Sequence, residues 1–337
     1  MACLSTPRVI ADPATSATEG RVAWDAPKSL FTGGMTVAAL ILAPLHVTAG
    51  AVAAFVALTA VTICFGHSIG MHRLLIHRSF EAPLWLERLL VYLGVLVGMA
   101  GPIGMARLHD TRDWAQRQTD CHDLHAHRAG FWTDAWRQLH CRLELAHPPR
   151  FAPEPRLADD RVYRFLEATW MLQQVPIGLA AFAIGGLPWL VWCVPVRVAV
   201  SLTGHWLVGH ITHKRGPQGW AVDGVAVQGH DLPKAALITF GEAWHGNHHA
   251  WPESARLGVE PGQADPGWWA LVTLRQLGLV WNLKEPAHLE PREGLRRVAP
   301  VAPHESSCRA SSAASASISS NTSCAAVRAF SARGKPA

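Results

Sequence analysis

Apolar and polar stretches alternate along the chain on a scale of tens of residues. Residues 1–28 are polar and mixed in charge, with no basic segment running into a short apolar core, so no signal peptide is expected. Leu30 to Ala49 and Ala51 to Phe65 are apolar and uncharged, broken near Pro44, His46 and Gly50. Crossing a bilayer takes ~20 apolar residues, so this pair predicts one membrane hairpin. Its second arm is short unless it runs on through Gly66 and Ser68 to Met71. Leu89 to Ala106 is apolar but carries Gly94, Gly98, Gly101, Pro102 and Gly104, which weaken a helix; it is expected to be a re-entrant or interfacial helix. Ala168 to Ile184 and Leu187 to Leu202 form a second hairpin, turning at Gly185, Gly186 and Pro188. Gln173, Gln174 and Arg197 lie in its arms and should face protein or a cavity.

Two hairpins return the chain twice to its starting side. Residues 1–28, 67–165 and 203–337 then share one face, which carries nearly all the Arg and is expected to be cytoplasmic. The predicted fold is an all-α, multi-pass integral membrane protein with four transmembrane helices and a cytoplasmic helical cap. It divides into an N-terminal tail (1–28), a membrane domain (29–300) and a Ser/Ala-rich tail (301–337) expected to be disordered.

Composition agrees. Of 337 residues, 49% are hydrophobic and only 16% charged, below the ~25% usual in soluble domains. There are 15 Trp against 2 Tyr, as suits membrane interfaces. A net charge of +5 is too weak to argue for nucleic acid. The 7 Cys are scattered without a CxxC, so reduced thiols are expected.

The 19 His carry the chemistry. They cluster as His67, His72 and His77; His109 with His122, His125 and His127; His205, His210 and His213; and His245, His248 and His249. All four clusters fall on the predicted cytoplasmic face. Three-residue spacing puts His245 and His248 on one helical face, whereas the adjacent His248 and His249 diverge by about 100° and can serve different ions. His109 and Asp113 are four apart, on one face. His72 and His77, five apart, work best at a helix end where the chain can turn around a metal. A lone His in a polar loop, such as His140, His147, His288 or His304, is more often solvated or capping. Nitrogen-rich sites suit Zn, Cu, Fe or Ni, and the ligands outnumber what one ion takes, so two metals are expected. A zinc pair would point to hydrolysis and an iron pair to O2 activation.

His72-Arg-Leu-Leu-Ile-His77 followed by RSFEAP resembles the first box of the membrane stearoyl-CoA desaturase family, and GEAWHGNHHAWPESARLG is similar to its third box. The resemblance spans Leu30 to Asn282. It implies a di-iron fatty acid desaturase that uses O2 and two electrons to remove two hydrogens from an acyl chain, leaving a cis double bond. It implies His72, His77, His245, His248 and His249 as ligands, and His213, before LysArgGly, as the family's lone His. The second box departs: where the family has HxxHH, this chain reads HDTRD. His109 remains, Asp113 can still bind iron through oxygen, and Arg112 cannot, having no free lone pair. The family's Asn four residues before the lone His is Gly209 here, with His210 beside it. Either the site is rebuilt, with Asp113 and His67, His122 or His210 filling gaps, or catalysis is lost; the rebuilt site is favoured.

Supporting roles are expected for Glu242 and Asn247, orienting imidazoles. Arg73, Arg78 and Lys214 are weaker candidates for the anionic head of an acyl-CoA or similar thioester, and Trp244, Trp251, Trp268 and Trp269 for an acyl tunnel. No catalytic residue beyond the metal ligands is expected. No haem motif is present, so electrons should come from a separate carrier, a ferredoxin or cytochrome b5-type protein with its reductase. The nearest alternatives are a lipid hydroxylase on the same irons and a non-catalytic membrane metal-binding protein.

Overall fold

The computed structural model describes residues 8–298. The expected disordered tail lies outside the described residues. Among the described residues the chain is mostly helical, with three two-stranded antiparallel sheets and no barrel.

Helix α1 (Ala26–Leu42) starts where the Asp25 carboxylate accepts the Lys28 N–H. Helix α2 (Ala49–Val61), capped by Thr48, continues without interruption as a π-helical segment, Thr62–Ile76. Together they make a 28-residue apolar helix, Ala49–Ile76, long enough to cross a membrane. The arm therefore runs five residues past Met71, carrying His67 and His72 within it. Helix α8 (Gln174–Val191), a π turn at Trp192–Val196 and α9 (Arg197–Thr212) make the second such length, Gln174–Thr212. Its direction breaks at Gly185 and Gly186, where Gly186 has φ +66°, at the expected turn. Exposed Leu30, Val37, Leu40, Val56, Leu179 and Phe182 stud the outer faces of these helices, an arrangement that lipid would cover.

The third apolar stretch is two helices rather than one. Helix α3 (Leu84–Val95) ends at a turn where Gly98 has φ +88°, and α4 (Pro102–Gln116) begins with Pro102 in its first turn. Glu167, from α7 (Arg161–Thr169), accepts the Ile103 and Gly104 N–H groups at 2.9 Å each and so caps α4. The polar residues of the apolar arms also serve α3. The Leu96 carbonyl at its C-terminal end accepts from Arg197 (2.6 Å) and Gln174 (3.0 Å), and Arg197 also donates to Gln174. A buried cation at a helix C-terminus is electrostatically favourable. Facing protein is what these residues were expected to do.

The π-helical segment packs backbone to backbone on α3. A Cβ at Gly66 would strike Leu93, and one at Gly70 would strike the Leu90 carbonyl. Small residues allow this approach, as in membrane helix pairs.

The described part of the segment read as an N-terminal tail, residues 8–28, forms strands and the start of α1. Strand β1 (Val9–Ile10) pairs with β4 (Arg150–Phe151), and β2 (Gly20–Trp24) with β3 (Cys141–Leu145). Buried Arg8 donates to the Leu75 and Ile76 carbonyls at 2.8 and 3.0 Å and pairs with Asp110 and Glu154. It thus closes the end of the π-helical segment beside His77. Periodicity could not show this, because strands of two to five residues carry too little pattern. The rest is α5 (Phe131–His140), the short α6 (Pro155–Ala158), β5 (Trp220–Val222) with β6 (Leu295–Arg297), α10 (His245–Ala250) and α11 (Pro266–Gln276). Cys64, Cys121, Cys141 and Cys193 are free and buried.

Gly70→Val should force α3 away from the π-helical segment at a cost of about 1–3 kcal/mol or more, the usual range for overpacking. Thermal unfolding in detergent checks this; an unchanged midpoint would show that the backbones are not in contact.

Candidate metal centre

Two histidine clusters lie side by side. In the first, His72, His77, His109 and His248 each offer a ring nitrogen, all within 4.8 Å of one another. In the second, His213, His245 and His249 do the same.

The π-helical turn builds the first cluster. In an α-helix, residues five apart point about 140° away from each other. Here the His77 N–H reaches back to the His72 carbonyl (3.1 Å), a five-residue π-type bond, and the two rings meet at 4.8 Å between centroids. The expected turn of the chain around a metal is this wider coil, a feature often found at functional sites. His109 enters from α4, 5.2 Å from His72 between centroids, and His248 from α10 at 4.5 Å.

Helix α10 serves both clusters. His248 joins the first while His245 and His249, four apart, join the second; His245 Nε2 lies 3.0 Å from His213 Nε2 and 3.1 Å from His249 Nε2. Adjacent His248 and His249 therefore diverge as expected. The pairing of His245 is different: it sides with His249, not His248. A four-residue step leaves side chains about 40° apart and a three-residue step about 60°, so the closer pair wins. Asp231 accepts the Gly246 N–H (2.9 Å) and fixes the start of this short helix.

The nitrogens are prepared for metal. His77 Nε2, His109 Nδ1 and His248 Nδ1 are buried without hydrogen-bond partners. A buried polar atom left unpaired costs ~1–3 kcal/mol, and a metal ion would satisfy it. His213 Nδ1 donates to the Gly209 carbonyl (2.8 Å), which leaves the Nε2 lone pair facing His245. Burial holds His248, His249 and His245 well below the ordinary imidazole range and brings His109 down to about 4. They are neutral at physiological pH, as ligation requires. An all-nitrogen donor set fits Fe, Zn, Cu or Ni and does not fit Mg or Ca.

Glu242 takes the supporting role expected of it. Its Oε2 lies 2.6 Å from His72 Nδ1, in contact but out of line for a hydrogen bond, and Oε1 accepts from Ser68 (2.6 Å). Burial alone would raise its pKa; His72 and Arg73 override that and keep it ionised. Asn247 does otherwise: it donates to the Leu257 carbonyl and Gln263, each at 2.8 Å, and so ties down the loop behind α10.

Other expectations need correction. Asp113 is outside both clusters. Its carboxylate sits 3.7 Å from His109 Nδ1 and 3.5 Å from Arg117, which draws it toward a small cavity beside His248 and His249. Of the gap-fillers, His122 accepts from the Leu124 N–H in a loop, His67 meets His205 at 4.9 Å between centroids, and His210 Nδ1 bonds Asp134 at 2.6 Å. None joins either of the two clusters; His210 falls in a third group, with His127 and Asp134. Arg73 is 1% exposed and bound to Ser68, Asp265 and Glu242, so it cannot meet a head group. Arg78 is paired with Glu87 and Glu154. Lys214 stays accessible beside a cavity of about 470 Å³ that also borders His213 and Arg128. Trp244 and Trp251 are buried in the protein, Trp244 donating to the Ala264 carbonyl, while Trp269 is exposed.

His127 and Asp134 form, with His210, a third group of side chains that could hold a metal, and Asp134 was not among the expected site residues. Asp134, 1% exposed, accepts from His127 Nδ1, His210 Nδ1 and Trp206 Nε1. One signal was available: His127 follows two other His at short spacing, in a loop that a neutral linker would not need.

No protein-family model matches the chain. Curated relatives do. A sn-1 stearoyl-lipid 9-desaturase of Anabaena variabilis is 34% identical, covering 80% of this chain and 96% of its own. A protein of the same description from Synechocystis sp. is 33% identical, covering 76% and 79%. An acyl-CoA 5-desaturase of Anemone leveillei is 30% identical, covering 71% and 74%.

Glu242→Gln should weaken metal binding about 10–100-fold, the usual effect of removing a carboxylate that supports a ligating imidazole. Metal titration of the purified chain reads this, and unchanged affinity would remove Glu242 from the site. Acid should also unfold the metal-free chain. His109 has its pKa depressed in the fold, from 6.5 to about 4, so its stabilising contribution is complete above 6.5 and is lost as pH falls toward 4. The thermal midpoint should drop across that window, and less so in His109→Gln.

Proposed function

Because the chain belongs to the membrane fatty acid desaturase family and is an oxidoreductase acting on fatty acyl chains, we propose that its paired clusters hold two irons that use O2 to place a cis double bond in an acyl chain. The observation that supports this reading is the pair of adjacent, buried to half-buried, all-nitrogen clusters beside the ends of apolar helices. His72, His77, His109 and His248 would hold one iron, and His213, His245 and His249 the other. Bound there, the pair supplies O2 activation strong enough to break unactivated C–H bonds, which no side chain can do. The protein's share is to aim seven imidazoles at the two pockets and to hold Glu242 ionised beside His72.

In this reading the chain crosses the bilayer four times: α1, Ala49–Ile76, and the two arms of Gln174–Thr212 on either side of Gly185 and Gly186. Both clusters then face the cytoplasm, where a separate electron carrier delivers the two electrons of each turnover. The acyl chain arrives as a membrane lipid ester. Support comes from Arg73 and Arg78, two of the three basic residues that the sequence offers for a thioester's anionic head: both are engaged in internal ion pairs, which leaves Lys214 alone accessible. Two of the relatives named above are likewise lipid desaturases.

Expression in a bacterial host with a matching reductase should add monounsaturated chains to its glycerolipids, and only in air. Lipid profiling with and without the gene measures this. Hydroxylated chains in place of unsaturated ones would defeat the desaturase chemistry, and labelled double bonds in added acyl-CoA but not in lipid would defeat the lipid-ester assignment.

A further inference from the structure

We infer that His127 is the fourth nitrogen ligand of the His213–His245–His249 cluster, filling with an imidazole the place that Arg112 and Gly209 leave without a donor. This rests on the dimetal reading above and adds a residue to it.

Four observations converge. First, the His127 ring lies parallel to that of His213, 10° between planes and 5.0 Å between centroids. Second, its Nε2 is buried with no partner, in a residue 2% exposed. Third, its Nδ1 lies 2.9 Å from the Asp134 carboxylate, which can only accept. The proton is therefore on Nδ1, and the lone pair is on Nε2, pointing away from Asp134. Carboxylate–histidine pairs of this kind orient ligands in many metal sites. Fourth, Gly209 adjoins both rings: a Cβ there would stand 3.6 Å from His127 Nε2 and 4.0 Å from His213 Nδ1, ordinary van der Waals contact, so the two imidazoles face the same stretch of α9.

The surroundings hold His127 in place. Its backbone is in the left-handed region, φ +52°, a strained conformation for a non-glycine residue of a kind that clusters at functional sites. The loop is pinned by Gln116 to the His125 carbonyl (2.7 Å) and by Gln138 to the Leu124 carbonyl (2.6 Å). Arg112 stands behind it, donating to Gln138 (3.1 Å), whose amide lies 3.5 Å from both His127 Nδ1 and Asp134. Asp134 Oδ2 already accepts three N–H groups, from His127, His210 (2.6 Å) and Trp206 (2.9 Å). The His127–Asp134–His210 group is thus satisfied without an ion of its own, and only Nε2 remains open.

The test loads the purified full chain in detergent with Fe(II) under anaerobic conditions and reads iron per chain and Mössbauer spectra. His127→Ala should lose one iron of two, keep the signal of the other, and regain the lost iron when free imidazole is added. Asp134→Asn should weaken the same iron about 10–100-fold. Two irons with unchanged spectra in His127→Ala would overturn the assignment and leave the dimetal reading standing. A wild-type chain that takes up fewer than two irons would end both. If His127→Ala binds neither iron through loss of fold, Asp134→Asn decides, and unchanged affinity there overturns the proposal.

Discussion

Neutral nitrogens crowded together in a buried space repel one another and have lost their water. Each unpaired one costs ~1–3 kcal/mol, so the clusters are unfavourable by themselves. A fold keeps such an arrangement only if the surrounding structure forces it. Everything that positions the clusters here comes in pairs of strong constraints: backbone against backbone at Gly66 and Gly70, and buried charges that cannot move without being exposed.

The charged constraints form a frame around the imidazoles. Arg8 ties the N-terminal segment to the last carbonyls of the π-helical segment and to Asp110 and Glu154. Arg73 joins that segment to Asp265, which in turn accepts the Leu257 and Gly258 N–H groups and caps α11. Glu242 links His72 to the chain leading into α10. Breaking one partner of such a buried pair leaves an uncompensated charge, which is far more disruptive than losing a surface contact. Arg73 and Arg78 are thus structural, and the ion pairs that make them so keep the clusters aligned, whereas Lys214 stays accessible.

Much of this was legible in the sequence. Long apolar runs mark the membrane-length helices because hydrophobic length is a one-dimensional signal. Box spacing marks His72, His77, His245, His248 and His249, because ligands on one turn must be near in sequence. What was not legible depends on contacts between distant segments. Arg73 looks like an interfacial cation until Asp265 is placed beside it. Asp113 looks like a replacement ligand until Arg117, one turn on, claims its carboxylate. His127 belongs to no recognisable box; it reaches His213 only because α5 and α9 meet over Asp134. The single apolar stretch from Leu89 to Ala106 splits into two helices because Pro102 starts a new one.

The six residues of α10 bear on how such a protein can change. One turn feeds nitrogen to both pockets, so any shift of it disturbs three donors together, and no neighbouring group can make good the loss. Helix α4 gives a single imidazole, His109, to the first pocket, and other segments border the space around it. A substitution along α4, where Arg112 and Asp113 stand, therefore touches one donor of the pair of pockets, whereas one that moves the short helix touches three.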